Sequence, residues 1–157
     1  CTGYCHPIRI SAAAARCNFS QKLFMDIIRN DERPTERGPA DYFTGTVWLD
    51  AIALTKSPSQ VRALRVTFEP GARTAWHTHP FGQVLYILSG VGRVQRADEP
   101  VQTVKPGDTV LFQPGERHWH GAAPGHAMVH VAIQEANQDG THATWFEHVT
   151  EADYQGQ

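Results

Sequence analysis

From about residue 40 the chain is a succession of short β-type runs, each stopped by a glycine or a proline. VRALRVTFEPG alternates apolar and polar residues and halts at Pro70-Gly71, and QVLYILSG closes on Ser89-Gly90. VGRVQRA, DTVLFQPG and HAMVHVAIQE follow, again with Gly or Pro between them. Short strands recurring at roughly ten-residue spacing predict an all-β sandwich or barrel rather than alternating β and α units. One short helix is expected near the end, in TEADYQ. With 157 residues, no internal repeat and no low-complexity linker, the chain is read as one β domain whose barrel occupies about 40–150.

The formal net charge of -2 offers no electrostatic footprint for nucleic acid or an anionic membrane. No apolar run approaches the roughly 18 residues of a membrane span. All three cysteines, Cys1, Cys5 and Cys17, fall in the first 17 residues, so the body of the chain uses neither disulfides nor thiolate chemistry. A zinc site from Cys1, Cys5, His6 and Cys17 fits no common ribbon or finger spacing. Residues 1–24 show no sustained period and no signal-peptide core, because Arg16 interrupts the short alanine run Ala12–Ala15. They are read as an upstream extension, with 25–157 as the functional domain and a cytoplasmic location.

Histidine carries the chemistry. Five of the nine histidines stand at 77, 79, 118, 120 and 130. Residues i and i+2 of a strand share a face, so His77 and His79 point together if RTAWHTHP is extended. Gln83 opens the next strand and can aim at the same spot. His118 and His120 form a second such pair just after Pro114-Gly115. Two pairs beside turns in an all-β chain can gather imidazoles inside a barrel; a single pair is as readily a polar patch on an exposed strand face.

The spacing G-x5-H-x-H-x3-Q-x6-G from Gly71 to Gly90 resembles the first cupin motif, with Gln83 where Glu is usual. The spacing G-x5-Q-x-G-x2-H from Gly107 to His118 resembles the second, with Gln113 where Pro is usual. The resemblance implies a single-domain cupin jelly-roll β-barrel (a double-stranded β-helix). It implies a metal held by His77, His79, Gln83 and His118. GPADYFTGTV, FEPGARTAWHTHPFGQ, PGERHWHGAAP and WFEHVT are further similar to small bacterial cupins that include manganese-dependent hydroxynitrile lyases. That narrower resemblance runs from about Gly38 to Tyr154. It implies that His130 faces the barrel interior near the metal, as acid/base or as a buried core histidine.

Three neutral imidazoles and a neutral amide leave a bound divalent ion its full charge, suited to an anionic oxygen or cyanide. Two open octahedral positions favour Mn²⁺, then Fe²⁺, with Zn²⁺, Ni²⁺ or Cu²⁺ able to enter on affinity. The expected activity is cleavage or formation of cyanohydrins. The alternatives are an Fe²⁺ or Mn²⁺ dioxygenase and a non-enzymatic metal-dependent binding protein for small molecules. His130 and His120 are the candidate acid/base residues; Leu64, Val66, Leu85 and Gln134 are the candidate pocket wall. Phe68 and Ile87 are read as core. Trp76 and Trp119, next to ligands, point to the opposite face with Val84, Tyr86, Val129, Val131 and Ile133. These two apolar faces predict a homodimer or a dimer of dimers. Deleting residues 1–24 should leave folding and metal content unchanged, as read by circular dichroism and metal analysis; loss of either would show that the extension belongs to the domain.

Overall fold

The computed structural model describes residues 25–55 and 57–157. The readings on residues 1–24, including the cysteine cluster and the upstream extension, lie outside the described residues. A turn of 3-10 helix at Asn30–Glu32 precedes the strands β1 (Thr35–Arg37), β2 (Phe43–Thr44), β3 (Val47–Leu54) and β4 (Val61–Phe68). The next are β5 (Arg73–Thr74), β6 (His77–Thr78), β7 (Gln83–Gly90), β8 (Gly92–Arg96) and β9 (Gln102–Val104). The last are β10 (Thr109–Phe112), β11 (His118–Ala122), β12 (Met128–Glu135) and β13 (Thr144–Trp145), followed by the helix α1 (Glu151–Gln155). The helix begins where expected because the Thr150 hydroxyl accepts from the Asp153 N–H, satisfying one of the donors a helix start leaves open. No described helix is long and apolar enough to cross a membrane.

The strands form two antiparallel sheets, the all-β jelly-roll arrangement that the turn spacing predicts. The first has the order β1-β3-β4-β12-β7-β10; the second has β13-β6-β11-β5-β2, with β8 on β11 and β9 on β8. Alternation turns one face of each strand inward. On β12 the buried residues are Met128, His130, Ala132 and Gln134, with Val129, Val131 and Ile133 outside. Register then aligns Leu49, Val66, His130 and Ile87 in one inward row across β3, β4, β12 and β7. Phe68, Leu85 and Met128 have no exposure and close the core beside this row.

Two expectations are revised. RTAWHTHP is not one strand but two, β5 and β6, because the backbone changes partners midway. The Ala75 N–H goes to the Tyr42 carbonyl and the Trp76 N–H to the Glu147 carbonyl. Trp76 and Trp119 do point away from the ligands, yet they do not form an open face. Val149 and Tyr154 of the C-terminal segment cover them, leaving Trp119 fully buried. That cover is held by polar bonds: the Tyr154 hydroxyl donates to the Ala122 carbonyl (2.7 Å), and Arg73 donates to the Val149 carbonyl (3.2 Å). Among the described residues, the outer side of the first sheet stays open, with Tyr86, Leu111 and Ile133 exposed.

Gly90 ends β7 with φ of 83°. A Cβ there would lie 1.8 Å from the Ala127 carbonyl oxygen, a backbone atom that cannot swing aside. Gly90→Ala should therefore destabilise the domain by about 3 kcal/mol or more, combining left-handed strain with a backbone clash. Urea unfolding measures this; a loss below about 1 kcal/mol would mean that the hairpin end relaxes freely.

Candidate metal centre and acid/base pair

His77 opens β6, His79 follows it, Gln83 opens β7 and His118 opens β11. Gly82, with φ of 80°, lets the chain turn back closely between His79 and Gln83. His77 and His118 are direct cross-strand partners. The imidazoles of His77, His79 and His118 each bring a ring nitrogen within 4.8 Å of the others, all three residues being buried.

Their orientation follows from their outer hydrogen bonds. His77 Nδ1 lies 2.9 Å from the Ala75 carbonyl, His79 Nδ1 2.6 Å from the His142 carbonyl and His118 Nδ1 2.7 Å from the Glu116 carbonyl. A carbonyl oxygen only accepts, so all three protons sit on Nδ1 and all three Nε2 atoms present lone pairs to one another. The Gln83 amide is aimed likewise. Its Nε2 donates to Gln134 Oε1 (3.3 Å), which leaves Oε1 facing His118 Nε2 at 3.2 Å. Two acceptors then face each other in a dry site, and His79 Nε2 is buried without a partner. Buried lone pairs that converge in this way call for a cation, so this donor set fits a divalent metal.

Burial also keeps these imidazoles neutral, as ligation requires. Loss of hydration holds His79 near 4 and His118 near 3, and His77 well below the ordinary 6.5, with neighbouring histidines adding to the effect for His77 and His118.

His120 and His130 form a second pair, with His130 Nε2 3.2 Å from His120 Nδ1. His120 lines the cavity that opens over the donor set, whereas His130 lies behind it with no exposure and does not line the cavity. His120 Nε2 and His130 Nδ1 are buried and unpartnered. Desolvation lowers His130 to about 3 and His120 well below its ordinary value. The cavity, of about 960 Å³, is lined by Leu64, Val66 and Gln134 as expected from sequence. Leu85 is not part of that wall; it is fully buried in the core cluster, in register beside Ala132.

Several contributors carried no signal in the sequence reading. Phe112 stacks on His118 with centroids 3.6 Å apart, and Trp145 lies against His77 at 4.6 Å. His142 acts through its backbone carbonyl, and a backbone acceptor leaves no mark on residue type. Phe112 could have been found as the cross-strand partner of Gln83.

The five buried neutral histidines link stability to acidity. An unfolded histidine protonates near 6.5, while His79, His118 and His130 refuse protons until about 4 or lower and burial holds His77 and His120 well below 6.5 as well. Their contribution is complete above about pH 6.5 and falls as the pH falls from there toward 4, because the unfolded chain then binds more protons. Melting temperature of the metal-free protein should drop steadily from pH 7 to pH 5, and less in His130→Gln; equal slopes in both proteins would show that His130 is not buried neutral.

Comparison with known proteins agrees with this architecture. The cupin domain family matches residues 64–133. An (R)-mandelonitrile lyase from Granulicella tundricola is 52% identical over 130 residues, spanning 83% of this chain and 98% of that protein. The crystal structure of a cupin-like protein from Thermotoga maritima shares 38% identity with a TM-score of 0.72, over 83% of this chain and 96% of that one. The polyketide cyclase RemF from Streptomyces resistomycificus, at 15% identity and TM-score 0.65 over 84% and 92% of the two chains, shares the fold. Barrel, donor set and sequence similarity together make this chain a member of the cupin family.

Proposed function

We propose that the chain is a metal-dependent hydroxynitrile lyase that reversibly splits a cyanohydrin into an aldehyde and hydrogen cyanide. The observation that carries this reading is the pairing of a neutral donor set with a separate His120–His130 pair at one end of a cavity whose wall there includes Leu64, Val66 and Ala132. The similarity to an (R)-mandelonitrile lyase supports it. His77, His79, His118 and Gln83 would hold a divalent cation, Mn²⁺ by preference, which would supply Lewis acidity favouring ionisation of the substrate hydroxyl.

His120 is the group placed to move the proton, since its Nε2 has no partner and the residue lines the cavity. For that nitrogen to be basic, the His120 proton must sit on Nδ1, donated to His130 Nε2. His130, fully buried, therefore fixes the tautomer and shares the charge when His120 is protonated. As His120 takes the hydroxyl proton, the O–H electron pair becomes the second bond of the carbonyl. The C–CN bond breaks with its pair on cyanide, which then receives the proton. Nothing is oxidised or reduced, and the reverse sequence adds hydrogen cyanide to the aldehyde. Leu64, Val66 and Ala132 give the substrate an apolar wall.

Protein loaded with Mn²⁺ should release benzaldehyde from mandelonitrile equally with and without oxygen. His120→Ala should lower kcat by roughly 10²–10⁴, and His130→Ala should lower it less while moving the pH profile. Gln83→Glu should retain the metal yet slow turnover by about tenfold, because it removes one unit of net charge from the site. No turnover with Mn²⁺, Fe²⁺, Zn²⁺, Ni²⁺ or Cu²⁺ would refute the lyase, and turnover that required oxygen would indicate a dioxygenase instead.

A further inference from the structure

The cavity extends well past the donor set, and its far end is not apolar. Register places Gln83, Gln134 and Arg62 side by side on the inner face of β7, β12 and β4. At about 4.8 Å per strand, the Arg62 backbone stands roughly 10 Å from that of Gln83. Arg62 lines the same cavity, between Leu64 and the His142 loop. Among the described residues its Nε is buried with no hydrogen-bond partner and its guanidinium joins no ion pair.

Among the described residues, the carboxylates that share the cavity with it stand outside ion-pair distance. Asp139 and Glu32 also line the cavity, but the Asp139 carboxylate accepts from the Thr141 N–H and the Glu32 carboxylate from the Arg29 N–H. Glu36 lies on β1, across β3 from Val66 and four residues along β4 from Arg62, and Arg37 beside it is also a cation. Arg33 is a second guanidinium in the lining with a buried, unpartnered Nε. His142 is near enough for the Arg62 charge to oppose its protonation, an effect secondary to its desolvation.

A planar guanidinium with free donors in a half-buried cavity is matched by a carboxylate. We propose that Arg62 is a specificity-determining residue and that the substrate is an aldehyde, or its cyanohydrin, bearing a carboxylate at the end away from the reacting carbon. An aromatic ring or equivalent apolar spacer spans Leu64 and Val66 between the two polar ends. The reacting end of this substrate rests on the lyase reading; the anionic end does not.

Calorimetric titration of the Mn²⁺-loaded protein with 4-(hydroxymethyl)benzoate and with benzyl alcohol separates the two. Wild type should bind the carboxylate at least about tenfold more tightly. Arg62→Leu and Arg62→Gln should abolish that preference, and Arg62→Lys should restore part of it, keeping the charge without the fork. The ratio of kcat/KM for 4-carboxybenzaldehyde over benzaldehyde in cyanide addition should fall in parallel. Equal affinities in wild type, or a preference that survives in both folded neutral variants because the carboxylate binds the metal instead, would overturn the proposal. Absence of turnover with either aldehyde, alongside an Arg62-dependent preference in binding, would refute the lyase and leave the carboxylate site standing.

Discussion

Three imidazoles whose protons are all turned outward onto backbone carbonyls are the constraint around which the barrel is organised. Those bonds fix the tautomer, and the tautomer fixes three lone pairs on one point. Everything else at this end of the molecule serves that convergence. Gln134 turns the Gln83 oxygen inward, Phe112 holds the His118 ring flat, and Trp145 backs His77. Without a cation the arrangement is electrostatically unfavourable, since buried acceptors face one another with no proton between them. The fold thus carries local strain of an electrostatic kind that a bound ion relieves.

The same dryness shapes the neighbouring pair. Burial that keeps the donor histidines neutral also makes His120 and His130 reluctant to hold charge alone. Sharing the proton across a 3.2 Å contact offsets part of that reluctance. On the proposed function, one environment would therefore serve two requirements: neutral ligands for a metal and a base that returns its proton readily.

Much of this was legible in the sequence because it rests on short-range periodicity. The i, i+2 spacing of His77 and His79, the turn before Gln83 and the glycine frame place the donors on strand starts without knowledge of the rest. The alternation in HAMVHVAIQE likewise puts His130 and Gln134 on the buried face. What stayed hidden depends on residues distant in sequence or on backbone atoms. The His142 carbonyl reaches His79 across 63 positions. The C-terminal cover over Trp119 turns an apparently open apolar face into interior. The depth of His130 behind His120 was equally invisible, since strand alternation gives direction but not distance from a cavity. Arg62 went unnoticed because a charged residue near a strand end reads as solvated until its neighbours are known.

The segment from His142 to Tyr154 joins these strands of argument. It lends a carbonyl to His79, adds β13 to β6 beside His77, and seals Trp119 through Tyr154. Ion binding at the proposed site and docking of this segment would therefore be thermodynamically linked: whatever free energy docking added to ion affinity, the ion would return to docking. With an ion bound as proposed, the segment would behave as a latch whose grip reports on the metal, and loosening it, even at the distant helix, would weaken the centre without touching a single ligand.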